Sequence, residues 1–250
     1  GSEVNREVGD GSSTQNIKEG EQIRLEDVLY CALTASANEA CNVLAQAVSG
    51  SVDDFVALMN QRAGELGMED THFANTHGYH NEEHYTTAYD IALMSRELIR
   101  NHPDIRQYTT IWMDSLRDGA SSLVNTNRLI RFYQGATGLK TGSTDSALYC
   151  LSGTAERDGM ELIAVVLHCA SSTDRFESAK ALLNYGFSGY ALVTPQPEGG
   201  IPPVPVVLGR QDSITPVPER SEPLLLEKAL ASQVQTAVTV DESVQAPVEA

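Results

Sequence analysis

Apolar residues recur with a helical period from Leu25 onward. Val28, Leu29, Ala32 and Leu33 make one face, which breaks at Thr34-Ala35-Ser36-Ala37-Asn38. The pattern resumes as Ala40, Val43, Leu44, Ala47 and Val48 and stops at Gly50. Two helices meeting at a short polar joint account for it. Ser51 is placed to cap a third helix carrying Phe55, Leu58, Met59 and Leu66, with Gly67 just past its end. Residues 70–86 are polar, rich in His and Asn and without period, and read as a loop. Thr87 with Asp90 three positions on resembles a capping box, with Asp in place of Glu. The helix it opens carries Ile91, Met94 and Leu98 and ends before Pro103.

The character changes after about residue 120. Gly135 to Thr144 is punctuated by glycine. Leu148 to Ala155, a turn at Arg157-Asp158-Gly159, and Met160 to Ala170 read as an antiparallel hairpin. Ser172-Thr173-Asp174 starts a helix with Phe176, Ala179, Leu182 and Leu183, closing at Gly186. Helices, then strands, then a helix predict an α/β layered domain, a helical cluster with a mainly antiparallel sheet. Nine of the ten prolines lie from Pro195 onward, among short β-type runs at 204–208, 224–226 and 234–240. The expected division is therefore residues 1–192 and a small, partial all-β domain at 193–250. The final Ala246-Pro247-Val248-Glu249-Ala250 breaks off in mid-pattern.

Charge narrows the function. The 250 residues carry 17 Lys+Arg against 34 Asp+Glu, a net charge of −17. A pI near 4.6 disfavours nucleic acid and anionic lipid, both of which need a basic surface. No stretch reaches the ~20 apolar residues that span a bilayer. The chain opens with the polar GSEVNREVGD, which is no signal peptide.

Two short motifs could carry chemistry. Ser36-Ala37-Asn38 sits at the helical joint, where a hydroxyl and an amide two positions apart can be presented together, although either could simply cap the second helix. Gly138-Leu139-Lys140-Thr141-Gly142-Ser143 opens the strand region. Lys140, Thr141 and Gly142 offer a cation, a hydroxyl and a bare backbone on an expected edge strand, a combination that suits a carboxylate and an extended peptide. A solvated lysine at a turn would read the same way locally.

Taken together, SxN on a helical joint and KTG on a later strand are two of the three signatures of penicillin-recognising serine enzymes. The stretches around them, LEDVLYCALTASANEACNVLAQAVSG, FANTHGY, YTTAYDIALMSREL, VNTNRLI and GATGLKTGSTDSALYCLSGTAERDGMELIAVVL, resemble the low-molecular-weight penicillin-binding proteins. Among these they are most similar to the D-alanyl-D-alanine carboxypeptidases, over about residues 10–190. Residues 196–250 resemble, more loosely, the small β domain that follows in that family.

The resemblance implies a β-lactamase/transpeptidase-like fold and a serine peptidase that removes the terminal D-alanine of peptidoglycan stem peptides through an acyl-enzyme. It implies that Ser36 relays a proton to the leaving D-alanine and that Asn38 holds the substrate amide. Lys140 would keep the site electropositive and orient Ser36. Thr141 would bind the terminal carboxylate, with Gly142 and Ser143 alongside the substrate. Arg175 would add charge nearby, and His77 would sit on a rim loop. No metal or organic cofactor is implied. β-Lactams would be ligands of the intact protein, acting outside the cytoplasmic membrane, and membrane association would come only through segments not present here.

One signature is missing. No serine of the chain has a lysine three positions on, so the SxxK nucleophile segment is absent. In the family it precedes SxN by several dozen residues, and 35 residues precede Ser36. The expectation is a domain lacking its N-terminal part, with an open sheet edge at 136–170 and little activity alone. The other expectation is a catalytically dead homologue that binds peptidoglycan.

A competing pattern is His80-Asn81-Glu82-Glu83-His84, which fits the H-x-x-E-H arrangement of one class of zinc peptidases. That chemistry needs His80, His84 and Glu83 on a helix, and this polar segment following Gly78 has no helical face. Cys31, Cys41, Cys150 and Cys169 lie in apolar neighbourhoods and read as buried free thiols, with a Cys150–Cys169 disulfide conceivable. Trp112 reads as core packing.

Overall fold

A computed structural model describes residues 2–248. Gly1 and the last two residues of the broken C-terminal pattern, Glu249 and Ala250, lie outside the described residues. The chain divides into two compact units, residues 1–157 with 161–184, and residues 158–160 with 185–250.

The first unit opens with an irregular segment that is less peripheral than its polarity suggests, because Val4 and Ile17 are buried. Helices α1 (Leu25–Leu33), α2 (Asn38–Ser49) and α3 (Val52–Glu65) follow. The α1–α2 break falls at the polar joint. Val28, Cys31 and Ala32 of α1 pack with Ala37, Ala40, Leu116 and Leu123 in one apolar cluster with Val4 and Ile17. Ser51 caps α3 by accepting from Asp54 N at 3.1 Å. Its buried side is Val52 and Ala63, whereas Leu58 is exposed. The choice of face is made by what packs against the helix, which periodicity does not encode.

Thr87 caps α4 (Ala88–Asn101), accepting from Asp90 N at 3.1 Å. The shorter Asp90 side chain turns inward instead of back to the cap. Buried, it accepts from Asp70 N at 3.0 Å and Thr71 Oγ1 at 2.6 Å. It thereby ties loop 70–86 to the helix start. Met94, expected on the packed face of α4, is exposed, while Ser95 and Ile99 are buried.

Short α5 (Arg106–Thr109), hairpin β1 (Met113–Leu116) with β2 (Ser121–Val124), and α6 (Leu129–Phe132) lead into the sheet of β3 (Ala136–Thr144), β4 (Leu148–Arg157) and β5 (Met160–Cys169). The strand order is β3-β4-β5, so β3 is an edge. β3 and β4 are antiparallel, with Lys140 opposite Ser152 and Gly142 opposite Cys150. The β4–β5 turn places Asp158 at φ 52° and Gly159 at φ 77°, the paired positive values of a tight hairpin turn. Helix α7 (Ser172–Gly189) runs three residues beyond the expected stop at Gly186. Trp112 is half-buried against Phe132, ring centroids 6.0 Å apart, and does not belong to the core cluster.

The second unit pairs β6 (Tyr190–Val193) antiparallel with β9 (Leu224–Glu227). It also aligns β7 (Val204–Val207) with β8 (Ser213–Ile214) and, in parallel, β10 (Val244–Gln245). A single-turn α8 (Lys228–Ala231) follows β9. The run 234–240 is not a strand, contrary to its composition. Among the described residues, no helix is long and apolar enough to cross a membrane.

Candidate active site

The joint between α1 and α2 is held from several sides. Ala37 N donates to Cys31 O at 3.0 Å, Asn38 N to Ser13 O at 2.9 Å, and Thr126 N to Thr34 O at 3.3 Å. Ala37 is fully buried, while Ser36 and Asn38 on either side of it are half-buried. Ser36 adopts φ 59°, a left-handed backbone that serine accepts only at a cost. Burial of the alanine thus fixes the corner, and the corner raises the serine.

Lys140 comes to this corner from β3. Its Nζ donates to Ser36 Oγ at 2.8 Å and to Thr141 O at 3.0 Å. Burial pushes the Lys140 pKa down to about 8, with the charge of Arg175 acting in the same direction and the Cys41 thiol opposing it. Since the ammonium donates, the Ser36 hydroxyl keeps its own proton for another acceptor.

Thr141 is buried, its Oγ1 2.5 Å from Thr126 Oγ1. Thr126 stands between two buried asparagines that shape its loop. Asn125 Nδ2 donates to Ile111 O at 2.7 Å, and Asn127 Nδ2 donates to Gly138 O at 2.9 Å. Asn127 N closes on Asn125 Oδ1 at 2.8 Å. Gly142 and Ser143 are exposed, and a Cβ built on Gly142 would meet nothing within 4 Å. The backbone there is open to a ligand on that side.

Arg175 is buried at 7% exposure. Its Nη1 donates to Gly142 O and Cys150 O, both at 3.3 Å, and its guanidinium lies over the Phe176 ring at 4.7 Å. It therefore clamps the β3–β4 pair at Gly142 and acts on the site as a fixed positive charge; burial lowers its pKa. His77 makes its contacts within its own loop and with the entry segment. Its Nδ1 accepts from Tyr79 N at 3.1 Å, and burial lowers its pKa, with the Arg6 backbone and Glu7 opposing.

The zinc pattern does not form. Residues 80–84 are a turn, not a helix. His84 Nδ1 instead accepts from Ala74 N at 3.3 Å, and its ring meets Phe73 edge-on. Among the described residues, no group of three His, Cys, Asp or Glu could hold a metal ion. All four cysteines are free, so the Cys150–Cys169 disulfide is not made, and only Cys31 is fully buried.

Three residues near the motifs are not marked by either motif. Cys41, one turn beyond Asn38, is electrically coupled to Lys140, and burial pushes its thiol up to about 11. Thr126 could have been found only through the Asn-x-Asn loop signature that aims it. Glu39 is a third: 1% exposed, its Oε1 accepts from Thr14 Oγ1 at 2.8 Å, Gln15 N at 2.7 Å and Ile17 N at 3.3 Å. It lashes the entry segment to the start of α2.

Comparison with known proteins adds independent findings. Residues 2–171 match the family described as D-alanyl-D-alanine carboxypeptidase. The chain is similar to the D-alanyl-D-alanine carboxypeptidase DacF of Bacillus subtilis, 39% identical over 183 residues, covering 72% of this chain and 47% of the relative. It is also similar to DacC of Escherichia coli, 34% identical over 189 residues, covering 74% of this chain and 46% of the relative. The chain spans about half the length of the curated relatives it matches. Among solved structures, penicillin binding protein 6B from Escherichia coli superposes with a TM-score of 0.78 at 28% identity, over 97% of this chain and 71% of that one. Penicillin-Binding Protein D2 from Listeria monocytogenes, in its cefotaxime-bound form, gives 0.66 at 34% identity, over 72% of this chain and 73% of that one.

Proposed function

Because the chain belongs to the D-alanyl-D-alanine carboxypeptidase family, we propose that it supplies the SxN and KTG walls of a site that binds peptides ending in D-Ala-D-Ala. The intact protein is a serine peptidase that removes the terminal D-alanine of peptidoglycan stem peptides, on the outer side of the bacterial cytoplasmic membrane. The observation that carries this reading is the 2.8 Å bond from Lys140 Nζ to Ser36 Oγ.

The roles follow from the chemistry of each group. The Lys140 ammonium attracts the terminal carboxylate, and the Thr141 hydroxyl, aligned by Thr126, donates to it. The exposed Gly142 and Ser143 backbone pairs with the extended peptide. The Asn38 amide holds the substrate amide. Ser36, oriented by Lys140, passes a proton to the amine of the departing D-alanine as the acyl bond to the nucleophile forms. Arg175 holds Gly142 in line and adds positive charge without reaching the ligand. β-Lactams are ligands of the intact protein by the same groups. In this division of labour residues 1–192 carry the site and 193–250 form a separate β domain.

No serine in the chain is followed three positions on by lysine, so the nucleophile is not among these 250 residues. This chain alone is expected to give little or no covalent labelling by a fluorescent penicillin, while binding an acetylated D-Ala-D-Ala peptide reversibly. Strong labelling refutes the first expectation. Equal binding of a peptide ending in L-Ala-L-Ala refutes the second. A catalytically dead, peptidoglycan-binding homologue gives the same two results. Reading the coding sequence upstream of Gly1 separates them, because an SxxK there assigns the nucleophile.

A further inference from the structure

In a chain with 34 acidic residues against 17 basic ones, an arginine finds a carboxylate easily. Arg6, Arg24, Arg62, Arg106 and Arg117 each make an ion pair. Arg96 and Arg100 do not. Both are exposed, and among the described residues neither has a hydrogen-bond, ion-pair or ring partner. Both line one cleft of about 310 Å³, where the end of α3 meets the second half of α4, together with Leu66, Leu93, Glu97 and Asn101. The cleft shares no residue with the Ser36–Lys140 site. We propose that it binds the phosphate group of a small phosphorylated molecule.

The charge of the cleft is positive because its one carboxylate is already engaged. Glu97 Oε1 accepts from Arg62 Nη2 at 2.5 Å, and Glu97 Oε2 accepts from Asn101 Nδ2 at 2.6 Å. Neither oxygen turns to Arg96 or Arg100. These two stand four positions apart on α4, so their side chains are neighbours and repel. Arg100 lies in the last turn, where a cation offsets the helix dipole. Arg96 lies a turn earlier, beyond the reach of that effect, and its charge has no use within the fold. An anion between the two relieves the repulsion.

The spacing selects the anion. Cβ atoms four apart on a helix are separated by about 6 Å, and each guanidinium presents a planar fork of donors. A carboxylate has two oxygens and is filled by one fork. A phosphate has enough oxygens to meet both forks at once. The cleft is at the lower end of the range of about 300–1,000 Å³ usual for small-ligand sites, which leaves room beside the phosphate for a short organic group on the half-buried Leu66 and Leu93. A polyanion or an anionic membrane is disfavoured, because beyond this cleft it meets a chain of net charge −17.

The test is calorimetric binding to the full chain at fixed ionic strength, with inorganic phosphate, glycerol 3-phosphate, glycerol and acetate as probes. Both phosphates should bind saturably, glycerol 3-phosphate the tighter, and glycerol and acetate should not. Arg96→Gln and Arg100→Gln should each weaken glycerol 3-phosphate binding about tenfold, the loss of one charge-assisted contact, and the double variant should abolish it. Glu97→Gln, which removes the carboxylate and keeps an acceptor for Arg62, should tighten it about threefold. The two arginines are exposed and unpaired, so the urea midpoints of their variants should not move. Acetate binding as well as phosphate, binding that survives the double variant, or weaker binding in Glu97→Gln overturns the proposal. So does the absence of saturable binding by either phosphate at millimolar concentration. Attachment to phosphatidylglycerol vesicles without binding of glycerol 3-phosphate overturns it in favour of a membrane contact.

Discussion

The ammonium of Lys140 and the hydroxyl of Ser36 meet at 2.8 Å across 104 positions of sequence. One is carried by an edge strand, the other by a left-handed corner between two helices. Neither position is comfortable. The lysine is half-buried and partly desolvated, and the serine holds a backbone that favours glycine. Both costs are concentrated on the two side chains placed to act on a ligand.

Lys140 should therefore burden the fold. Its folded pKa is about 8 against an ordinary 10.5, so between those values the unfolded chain binds more protons and stability rises with pH. Below about 8 both states are protonated and the burden is constant. Lys140→Met should raise the unfolding free energy at pH 7 by about 1–3 kcal/mol and narrow its advantage as pH climbs toward 10. Urea melts of both proteins at pH 7 and pH 9.5 measure this. A constant difference between them would contradict it.

Ligand affinity should have the opposite slope. A terminal carboxylate needs the charged lysine, so binding of an acetylated D-Ala-D-Ala peptide should weaken as pH rises through 8 in the free protein. Lys140→Ala should abolish it. Ser36→Ala removes an acceptor from the ammonium and should lower the Lys140 pKa further, shifting the binding profile to lower pH. Titration of the lysine side chain by NMR reads the shift directly; a profile unmoved by Ser36→Ala would count against the coupling.

Arg175 donates to two backbone carbonyls, Gly142 O and Cys150 O, of the paired strands β3 and β4. Arg175→Met should cost about 2–4 kcal/mol and raise the Lys140 pKa by removing a like charge. Arg175→Lys should restore the charge without the forked geometry, and so recover the pKa better than the stability. Chemical denaturation combined with the lysine titration distinguishes the two effects. Equal recovery of both would show that the clamp is electrostatic alone.

Glu39 receives three hydrogen bonds from the entry segment on a single oxygen. Glu39→Ala should lose about 2–4 kcal/mol and accelerate hydrogen exchange at the Gln15 and Ile17 amides. Glu39→Gln, which keeps an acceptor oxygen, should lose less. Unchanged exchange in the alanine variant would mean that the segment is held by Ile17 burial instead.

Much of the outline was legible along the chain. The break between α1 and α2, the Ser51 and Thr87 caps, the hairpin over Asp158-Gly159 and the SxN and KTG pair all rest on local patterns, and local backbone preferences carry them into the fold. Where only burial decides, the linear reading erred: Leu58 and Met94 face solvent, Trp112 leaves the core, and 234–240 makes no ladder. Periodicity shows that a helix has an apolar face but not which neighbour will cover it.

The sequence by itself determined which functional groups these 250 residues bring, and that no serine among them has a lysine three positions on. It also determined that a hydroxyl and an amide stand at a corner and a lysine on a strand. Only tertiary structure decided that the corner and the strand touch, that Arg175 turns inward to clamp β3, that Thr126 and Cys41 stand beside the pair, and that Glu39 ties the entry segment to α2. The reason is that hydrogen bonds and desolvation act over a few ångströms, and such distances between remote residues are fixed by the packing of buried Ala37, Leu123 and Leu129 rather than by any pattern along the chain.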